Sequence, residues 1–322
     1  YWAEEYHIDG FRFDLMALHD KVTMQKIEKT LHAIDPSILI YGEPWMGGLS
    51  PLDPSQQMVK GAQKDMKIAV FNDNFRNAIK GDNDGIEPGF VSGAYHREDD
   101  IKRGVVGSIY YNELIQDFTA QPAEAVNYVS SHDNLTLWDK LAKSNGDDSE
   151  KLRIKMDRLA QGIILTSQGI PFLQGGEDLL RTKWGNHNSY NAGDKVNQLK
   201  WERKAKYYQT FKYYQGLIKL RKEHPGFRMI NSDQIRKHLD FLEVPPNTVG
   251  FIIKEHANDD KWKNIIVFYN PNKEDITYKL PSESTWNVVV NSRQAGINTI
   301  SRVIDSNEVT LEAVSLMVLY EK

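Results

Sequence analysis

Apolar residues in the first two thirds of the chain occur in two alternating patterns. Short continuous runs predict β-strands, and runs with apolar residues every three to four positions predict amphipathic helices between them. Strands that alternate with helices favour a parallel sheet with crossover helices, an α/β fold. The predicted strands are residues 8–14, 38–42, 67–72, 126–131 and 170–173.

Residues 73–107 interrupt this alternation. The segment is rich in Gly and Asn and has little apolar periodicity, so we expect a long loop with at most short helices. Long loops in compact domains are often functional. Asp73, Asp82 and Asp84 offer oxygen ligands, and a structural calcium ion is one alternative for them, although their spacing is not that of an EF-hand.

Beyond residue 226 the apolar period changes to two, which is typical of half-buried strands. Short strands separated by prolines, without helices, predict an antiparallel β-sandwich. We therefore divide the chain into a first domain, residues 1–225, and a second domain, residues 226–322. The predicted strands of the second domain are residues 249–255, 264–269, 276–280, 286–291 and 314–320.

The amino-acid composition excludes several classes of protein and of site. The 322 residues are 40% hydrophobic and 26% charged, which allows a sizeable core. With 40 Lys+Arg against 44 Asp+Glu no basic face is indicated, and we expect no nucleic-acid partner. No apolar run reaches the roughly 18–20 residues of a membrane span, so we expect no membrane partner. The chain has no cysteine, which excludes disulfides, thiolate nucleophiles and cysteine-ligated zinc.

The first candidate for chemistry is the strand at residues 8–14, which reads IDGFRFD. Side chains alternate along a strand, so Arg12 and Asp14 share one face about 6–7 Å apart, while Phe11 and Phe13 face the covering helices. An arginine beside an aspartate keeps the carboxylate ionised, which suits a nucleophile. A structural ion pair is the alternative.

The second candidate follows the strand at residues 38–42, which runs into Glu43, Pro44 and Trp45. Catalytic residues lie at the carboxyl ends of parallel strands in open α/β sheets and in (β/α)₈ barrels. Trp45 offers a flat apolar face of the kind on which a sugar ring stacks. The alternative is a surface glutamate beside a packed tryptophan.

The third candidate follows the strand at residues 126–131, where His132, Asp133 and Asn134 form a polar cluster. A metal pair, a fragment of a Ser-His-Asp triad and a substrate clamp are the alternatives, and the sequence contains neither HExxH nor GxSxG. Two carboxylates that flank a bond are what glycoside hydrolysis needs, one as nucleophile and one as general acid.

Together the three segments resemble the alpha-amylase superfamily of glycoside hydrolases. GFRFD resembles its nucleophile segment, YGEPW its general-acid segment and VSSHDN the segment with a further aspartate. Within the superfamily, residues 8–201 resemble the type I pullulanases, which debranch starch. The similar segments are GFRFDLMALHD, YGEPW, FNDNFRNAIKG, YVSSHDNLTLWDKL, GIPFLQGGEDLLRTK and NSYNAGD followed by NQLKW. The part after residue 226 resembles the domain that follows the barrel in these enzymes.

The resemblance implies three catalytic roles. Asp14 would be the nucleophile, Glu43 the general acid/base, and Asp133 the group that stabilises the oxocarbenium-like transition state. The reaction would be the retaining cleavage of α-1,6 links in pullulan, amylopectin and related branched α-glucans, with no cofactor required for the chemistry. An isoamylase, an α-1,4-acting amylase and a non-catalytic α-glucan-binding fragment are the alternatives.

The resemblance also implies substrate-binding roles. Arg12 would orient the nucleophile, and His132 would hydrogen-bond the sugar in the reacting subsite. Trp45 and Asn134 would shape the leaving-group side, and Asp194 would contact the sugar one subsite further in.

The implied fold is the C-terminal portion of a (β/α)₈ TIM barrel, about five of eight strands, followed by an antiparallel β-sandwich. The family has an earlier segment that ends in Asn-His, and this sequence has no counterpart. We therefore expect the missing N-terminal half of the barrel to be supplied in cis or as a separate chain. We expect the isolated chain to be inactive and poorly soluble, because an open five-strand sheet exposes unpaired edges. The compartment, cytoplasmic or secreted, is not predicted, because we expect the missing part to carry the targeting information.

Overall fold

The structure, a computed structural model, describes residues 1–282, 284–304 and 307–322. Its first part contains a sheet of five parallel strands in the order β1-β2-β3-β4-β5, with β1 and β5 at the two ends. All five predicted strands are present, and each is shorter than its apolar run. They are β1 (Gly10–Phe13), β2 (Leu39–Gly42), β3 (Ala69–Phe71), β4 (Ala125–Asn127) and β5 (Ile170–Pro171).

Helices alternate with these strands. The first helix begins where the Asp20 side chain accepts a hydrogen bond from the Thr23 backbone, an N-cap that satisfies a free N–H group. No helix in the described ranges is long and apolar enough to cross a membrane. The helices of this part are α1 (Lys21–Ile34), α2 (Asp73–Lys80), α3 (Glu98–Val105), α4 (Leu137–Ser144), α5 (Glu150–Thr166), α6 (Asp194–Asn197), α7 (Glu202–Lys206) and α8 (Tyr208–Glu223).

The segment of residues 73–107, predicted as a long loop with at most short helices, contains two short helices, α2 and α3, each of eight residues. The Asn72 side chain caps α2 by accepting from the Phe75 backbone N–H. A Cβ atom on Gly104 of α3 would lie 2.0 Å from the Phe75 ring, so only glycine lets the two helices approach this closely. The apolar contacts that stabilise these helices are thus tertiary.

The second part is antiparallel and forms two sheets. A six-stranded sheet has the order β11-β10-β13-β8-β7-β6, and β12 pairs with β9. Ile266, Phe268, Trp286 and Leu311 belong to a buried cluster to which both sheets contribute. The strands are β6 (Leu239–Phe241), β7 (Val249–Ile253), β8 (Asn264–Asn270), β9 (Ile276–Lys279), β10 (Trp286–Val290), β11 (Ser301–Val303), β12 (Glu308–Leu311) and β13 (Ser315–Glu321).

Helices also occur beyond residue 226, where none was expected. A 3₁₀ helix spans Pro225–Arg228, and α9 spans Ser232–His238 with the Asn231 side chain as its N-cap. Ile235 of α9 is buried in the largest core cluster, which explains why so short a helix is stable here.

The two parts of the chain share that core cluster. It includes Ile163 of α5 together with Val267 of β8 and Leu316 of β13. The hydroxyl groups of Thr166 and Tyr269 form a hydrogen bond of 2.6 Å across the same contact. The division of the chain at residues 225 and 226 therefore stays a prediction, because the apolar contacts continue across it.

The contact between α8 and the second part generates the first testable prediction. A Cβ atom on Gly216 would lie 1.9 Å from the backbone oxygen of Ala295. Gly216→Ala should lower the free energy of unfolding by about 1–3 kcal/mol. Alanine normally stabilises a helix by roughly 1 kcal/mol relative to glycine, but here the cost of the clash with the backbone exceeds that stabilisation. Gln209→Ala, an exposed position on the same helix, should change it by less than about 0.5 kcal/mol in urea titrations. A Gly216→Ala chain as stable as the wild type would contradict this packing.

Candidate active site

The site begins with the register between β1 and β2. Phe13 pairs with Gly42, and the Glu43 backbone N–H donates to the Phe13 oxygen at 3.0 Å. The next residues, Asp14 and Glu43, therefore leave neighbouring strands side by side at the carboxyl edge of the sheet. Gly42 is required here, because a Cβ atom would lie 2.7 Å from the Phe13 oxygen.

Arg12 connects the two carboxyl groups that the sequence singles out. Its Nη1 atom donates to Asp14 Oδ1 at 2.9 Å, and its Nη2 atom is in contact with Glu43 Oε1. The Asp14 side chain is 71% exposed, whereas that of Glu43 is 8% exposed. One guanidinium thus holds an exposed carboxylate and a buried carboxyl group next to each other, which is the arrangement expected of a nucleophile and an acid.

Leu15 contributes a backbone group that the sequence analysis did not identify. Its N–H donates to Glu43 Oε2 at 2.9 Å. Leu15 has φ 42° and ψ 50°, the left-handed region that is strained for a residue with a large side chain. Such strain costs on the order of 1–3 kcal/mol and is concentrated at functional sites. The buried residues Met16 and Ala17 of the following 3₁₀ helix fix this turn.

The surroundings of Glu43 raise the pKa of its carboxyl group. Burial is the largest cause, and the neighbouring Asp14 carboxylate acts in the same direction. The Leu15 N–H and the Arg12 guanidinium oppose the shift by stabilising the charged form. A carboxylic acid that keeps its proton at higher pH than usual is what general acid catalysis needs.

Trp45 lies two residues beyond Glu43 and is partly buried. Its ring is tilted against Phe71 of β3, with ring centroids 6.4 Å apart. It packs on an aromatic cluster that includes Tyr128 and Phe172. Part of the Trp45 ring therefore supports the interior of the sheet, and the rest is accessible.

His132 and Asp133 follow β4 at the same edge of the sheet. Both side chains are mostly exposed, and His132 Nε2 lies 3.6 Å from Asp133 Oδ1. Among the hydrogen bonds and ion pairs of the described residues, none links Asp133 to Asp14 or Glu43. Asp194 is the exposed first residue of α6, also outside the Arg12 cluster.

Buried polar residues hold the loop that carries His132 and Asp133. Ser130 donates its hydroxyl to Glu177, and burial raises the pKa of Glu177 to about 8. The Lys183 ammonium donates to the His132 backbone oxygen. Nothing in the sequence pattern marks Glu177 or Lys183 for this role, since it depends on the folded positions of the segments after β5.

Asp73, Asp82 and Asp84, the residues considered for calcium, contact protein donors in this structure, and the calcium site stays a prediction. Asp73 forms an ion pair with Lys60, and Asp82 Oδ1 accepts from Lys140 Nζ at 2.7 Å. Asp84 accepts from backbone and side-chain donors of the loop after β4. Over residues 1–282, 284–304 and 307–322 there is no group of three or more His, Asp or Glu side chains that could hold a metal ion.

Comparison with known proteins gives consistent matches. The family model described as "Pullulanase, all-beta domain" matches residues 235–294. Pullulanase of Bacillus subtilis (strain 168) is 34% identical over 285 residues, 88% of this chain and 39% of that protein. A solved pullulanase from Bacillus acidopullulyticus has a TM-score of 0.95 and 53% identity over 99% of this chain and 38% of the other. Pullulanase from Paenibacillus barengoltzii, in complex with maltohexaose and alpha-cyclodextrin, has a TM-score of 0.92 and 40% identity over 99% of this chain and 49% of the other.

These matches confirm the resemblance to type I pullulanases that the sequence motifs indicated. The solved type I pullulanase from Bacillus subtilis, with a TM-score of 0.93, matches this chain over its whole length. The chain spans about two fifths of the curated relative it matches, and it corresponds to the C-terminal part of these starch-debranching glycoside hydrolases. The predicted fold class, a C-terminal barrel portion followed by an all-β part, is also confirmed. The described residues form a sheet of five parallel strands rather than a closed barrel.

Arg12 and Asp14 have opposite effects on the pKa of Glu43, and this contrast generates the second prediction. Asp14→Asn removes the like charge beside Glu43 and should lower the pKa of Glu43, whereas Arg12→Gln removes the opposite charge and should raise it further. Carbon-13 NMR titration of the glutamate carboxyl groups measures both shifts, with Glu43→Gln identifying the signal. Asp9→Asn, at an exposed position that precedes β1, should leave the pKa unchanged. Shifts of the same sign in the two variants would contradict this account of the site.

Proposed function

We propose that this chain, a homologue of the C-terminal part of type I pullulanases, supplies the catalytic carboxyl groups of a debranching glycoside hydrolase. The substrates are pullulan, amylopectin and related branched α-glucans, cleaved at α-1,6 links. The observation that carries the proposal is the Arg12 bridge between exposed Asp14 and buried Glu43. It joins a carboxylate that can attack to a carboxyl group whose pKa is raised.

The reaction proceeds with retention in two steps. Glu43 transfers its proton to the departing glycosidic oxygen while Asp14 Oδ attacks the anomeric carbon and forms a glycosyl ester. Glu43, now a carboxylate, then takes a proton from water while the water oxygen attacks the anomeric carbon, and the bond between that carbon and Asp14 Oδ breaks, which frees Asp14. Asp133 stabilises the positive charge that develops on the sugar ring in both steps. Arg12 orients Asp14 through the ion pair between its Nη1 atom and Asp14 Oδ1.

The binding roles follow the same edge of the sheet. Trp45 stacks on the sugar of the leaving group, His132 hydrogen-bonds the sugar in the reacting subsite, and Asp194 contacts the next sugar. Asn134 acts on the leaving-group side. Its side-chain nitrogen donates to Asp84, so Asn134 acts there through the backbone conformation of its loop. The complex of the Paenibacillus pullulanase with maltohexaose supports an α-glucan as the partner of this chain.

The open sheet supports a further part of the proposal, that another β/α segment completes the barrel. Strands β1 and β5 end the sheet, and natural sheets cover such edges. Beside β5 lies an apolar cavity of about 440 Å³ that is lined by Ile170, Ile218 and the exposed Ile230. Both amide atoms of buried Gln174, which follows β5, lack a partner among the described residues. A segment that pairs with β5, in the same chain or in a separate one, would cover these groups.

The third prediction tests completeness and linkage together. We expect purified residues 1–322 to show no hydrolysis of pullulan alone, and to gain it with the N-terminal barrel strands of a pullulanase supplied in cis or as a second polypeptide. Reducing-sugar assays measure the rate, product analysis identifies the cleaved link, and proton NMR should show the α-anomer first. Asp14→Asn in the same assembly is the control for contaminating activity.

Other outcomes distinguish the alternatives. Robust hydrolysis by residues 1–322 alone would contradict the need for a completing segment. Hydrolysis of linear amylose in preference to pullulan would indicate an α-1,4-acting amylase. Binding of maltooligosaccharides with no hydrolysis in the completed assembly would favour a non-catalytic glucan-binding fragment.

The fourth prediction separates binding from chemistry in the completed enzyme. Trp45→Ala should raise KM and lower kcat/KM on pullulan by about 5- to 150-fold, the equivalent of roughly 1–3 kcal/mol of stacking. Asp14→Asn should lower kcat by orders of magnitude and leave substrate binding largely intact, because it removes the nucleophile alone. Unchanged kinetics in Trp45→Ala would show that the leaving-group sugar does not stack on this ring.

A further inference from the structure

We propose that Asp84 is a positioning residue that holds the loop carrying Asp133 in its active conformation. The inference rests on the proposed function, in which Asp133 stabilises the transition state. Asp84 belongs to the loop after α2, far in sequence from the segments that carry the catalytic candidates. It acts on the reaction through other residues and does not contact the sugar.

The contacts of Asp84 involve both oxygens of its carboxylate. Oδ1 accepts from the Leu135 backbone N–H at 2.9 Å, and Oδ2 accepts from the Asn134 side-chain nitrogen. These donors belong to the two residues that directly follow Asp133. Hydrogen bonds to an ionised acceptor are stronger than neutral ones, so this pair of bonds is a strong restraint on the loop.

The restraint is needed because the loop turns through an unfavourable backbone conformation. Asn134 has φ 64°, in the left-handed region, which asparagine tolerates better than most residues but which still costs energy. The bond from its side chain to Asp84 offsets that cost. Release of this bond would let the backbone next to Asp133 relax and change the direction of the Asp133 side chain.

Asp84 can restrain the loop because its own segment is firmly anchored. The buried Lys140 ammonium on α4 donates to Asp82 Oδ1 at 2.7 Å, to the Gly85 oxygen at 3.1 Å and to the Glu87 oxygen at 2.7 Å. Lys143 of the same helix donates to the Asp84 backbone oxygen. The segment on either side of Asp84 is thus fixed to α4.

Three loops meet at Asp84. It is part of the loop after α2, it binds the loop after β4, and its Oδ2 atom lies 3.8 Å from Nδ1 of the exposed His187 in the loop after β5. Lys183 of that last loop donates to the His132 oxygen. The residues on both sides of Asp133 are therefore bonded to the two neighbouring loops, His132 through Lys183 and Asn134 with Leu135 through Asp84.

Hydrogen exchange in the chain itself tests the restraint without any need for activity. Asp84→Asn keeps the shape of the side chain, removes its charge and replaces one acceptor by a donor. We expect the amide of Leu135, followed in peptides that span residues 130–136, to exchange about tenfold faster than in the wild type. Asn134→Gly, which permits positive φ but loses the side-chain donor, should also speed exchange in this peptide.

Asp82→Asn is the matched control. It removes a carboxylate from the same segment, but Lys140 keeps its two bonds to backbone oxygens and the contacts of Asp84 remain. Exchange in residues 130–136 should then stay within about twofold of the wild type. Equal acceleration in Asp82→Asn and Asp84→Asn, or wild-type exchange in Asp84→Asn, would overturn the proposal.

Kinetics in the completed enzyme distinguish a positioning role from a merely structural one. Asp84→Asn should lower kcat on pullulan about tenfold and raise KM less than threefold, because the restraint acts on the transition-state group. Asn134→Gly added to Asp84→Asn should lower kcat little further. Both substitutions remove the same hydrogen bond, the one between the Asn134 side chain and Asp84. A wild-type enzyme that hydrolyses no glucan would refute the proposed function, whereas a normal kcat in Asp84→Asn beside an active wild type would refute only this inference.

Discussion

The parallel register between β1 and β2 is the constraint on which the candidate site depends. Neighbouring strands lie about 4.8 Å apart, so residues that follow a paired position leave the sheet side by side. Phe13 pairs with Gly42, which brings Asp14 and Glu43 to the same guanidinium. A slip of one residue would turn every side chain of the strand to the opposite face and separate Glu43 from Arg12.

Packing on the other face fixes this register. Phe11 and Phe13 pack on a buried cluster that includes Met16 and Met24 of the following turn and helix. Both rings are partly buried in this contact, and a slip would turn them to the opposite face, so the loss of their apolar burial opposes it. The chemistry on one face of β1 is therefore positioned by the hydrophobic contacts on the other.

The strands of the first part are local properties, and the sequence predicted them together with the edge at which Asp14 and Glu43 meet. Apolar runs that end in IDGFRFD, YGEP and VSSHDN indicated both the strands and the edge where the polar groups meet. The anchors of the loops are tertiary properties, and the sequence did not predict them. The donors that bind Asp84 come from the loop after β4 and have no local signal in the sequence, and neither has buried Lys140. The helix α9 was missed for the same reason, since its stability comes from burial against distant segments.

The two carboxyl groups differ in how far this chain alone determines their surroundings. Glu43 is enclosed by groups of β1, β2 and the turn after β1, namely the Arg12 guanidinium and the Leu15 N–H. The arginine and the backbone N–H that oppose the rise in its pKa thus both belong to this chain. Asp14 is held by the same arginine but faces solvent beside the end strand of the sheet. Water solvates a carboxylate and weakens it as a nucleophile, so a segment that covers β1 would change the reactivity of Asp14 far more than that of Glu43. The acid half of the proposed site is thus built into this chain, while the strength of the nucleophile depends on what packs beside it.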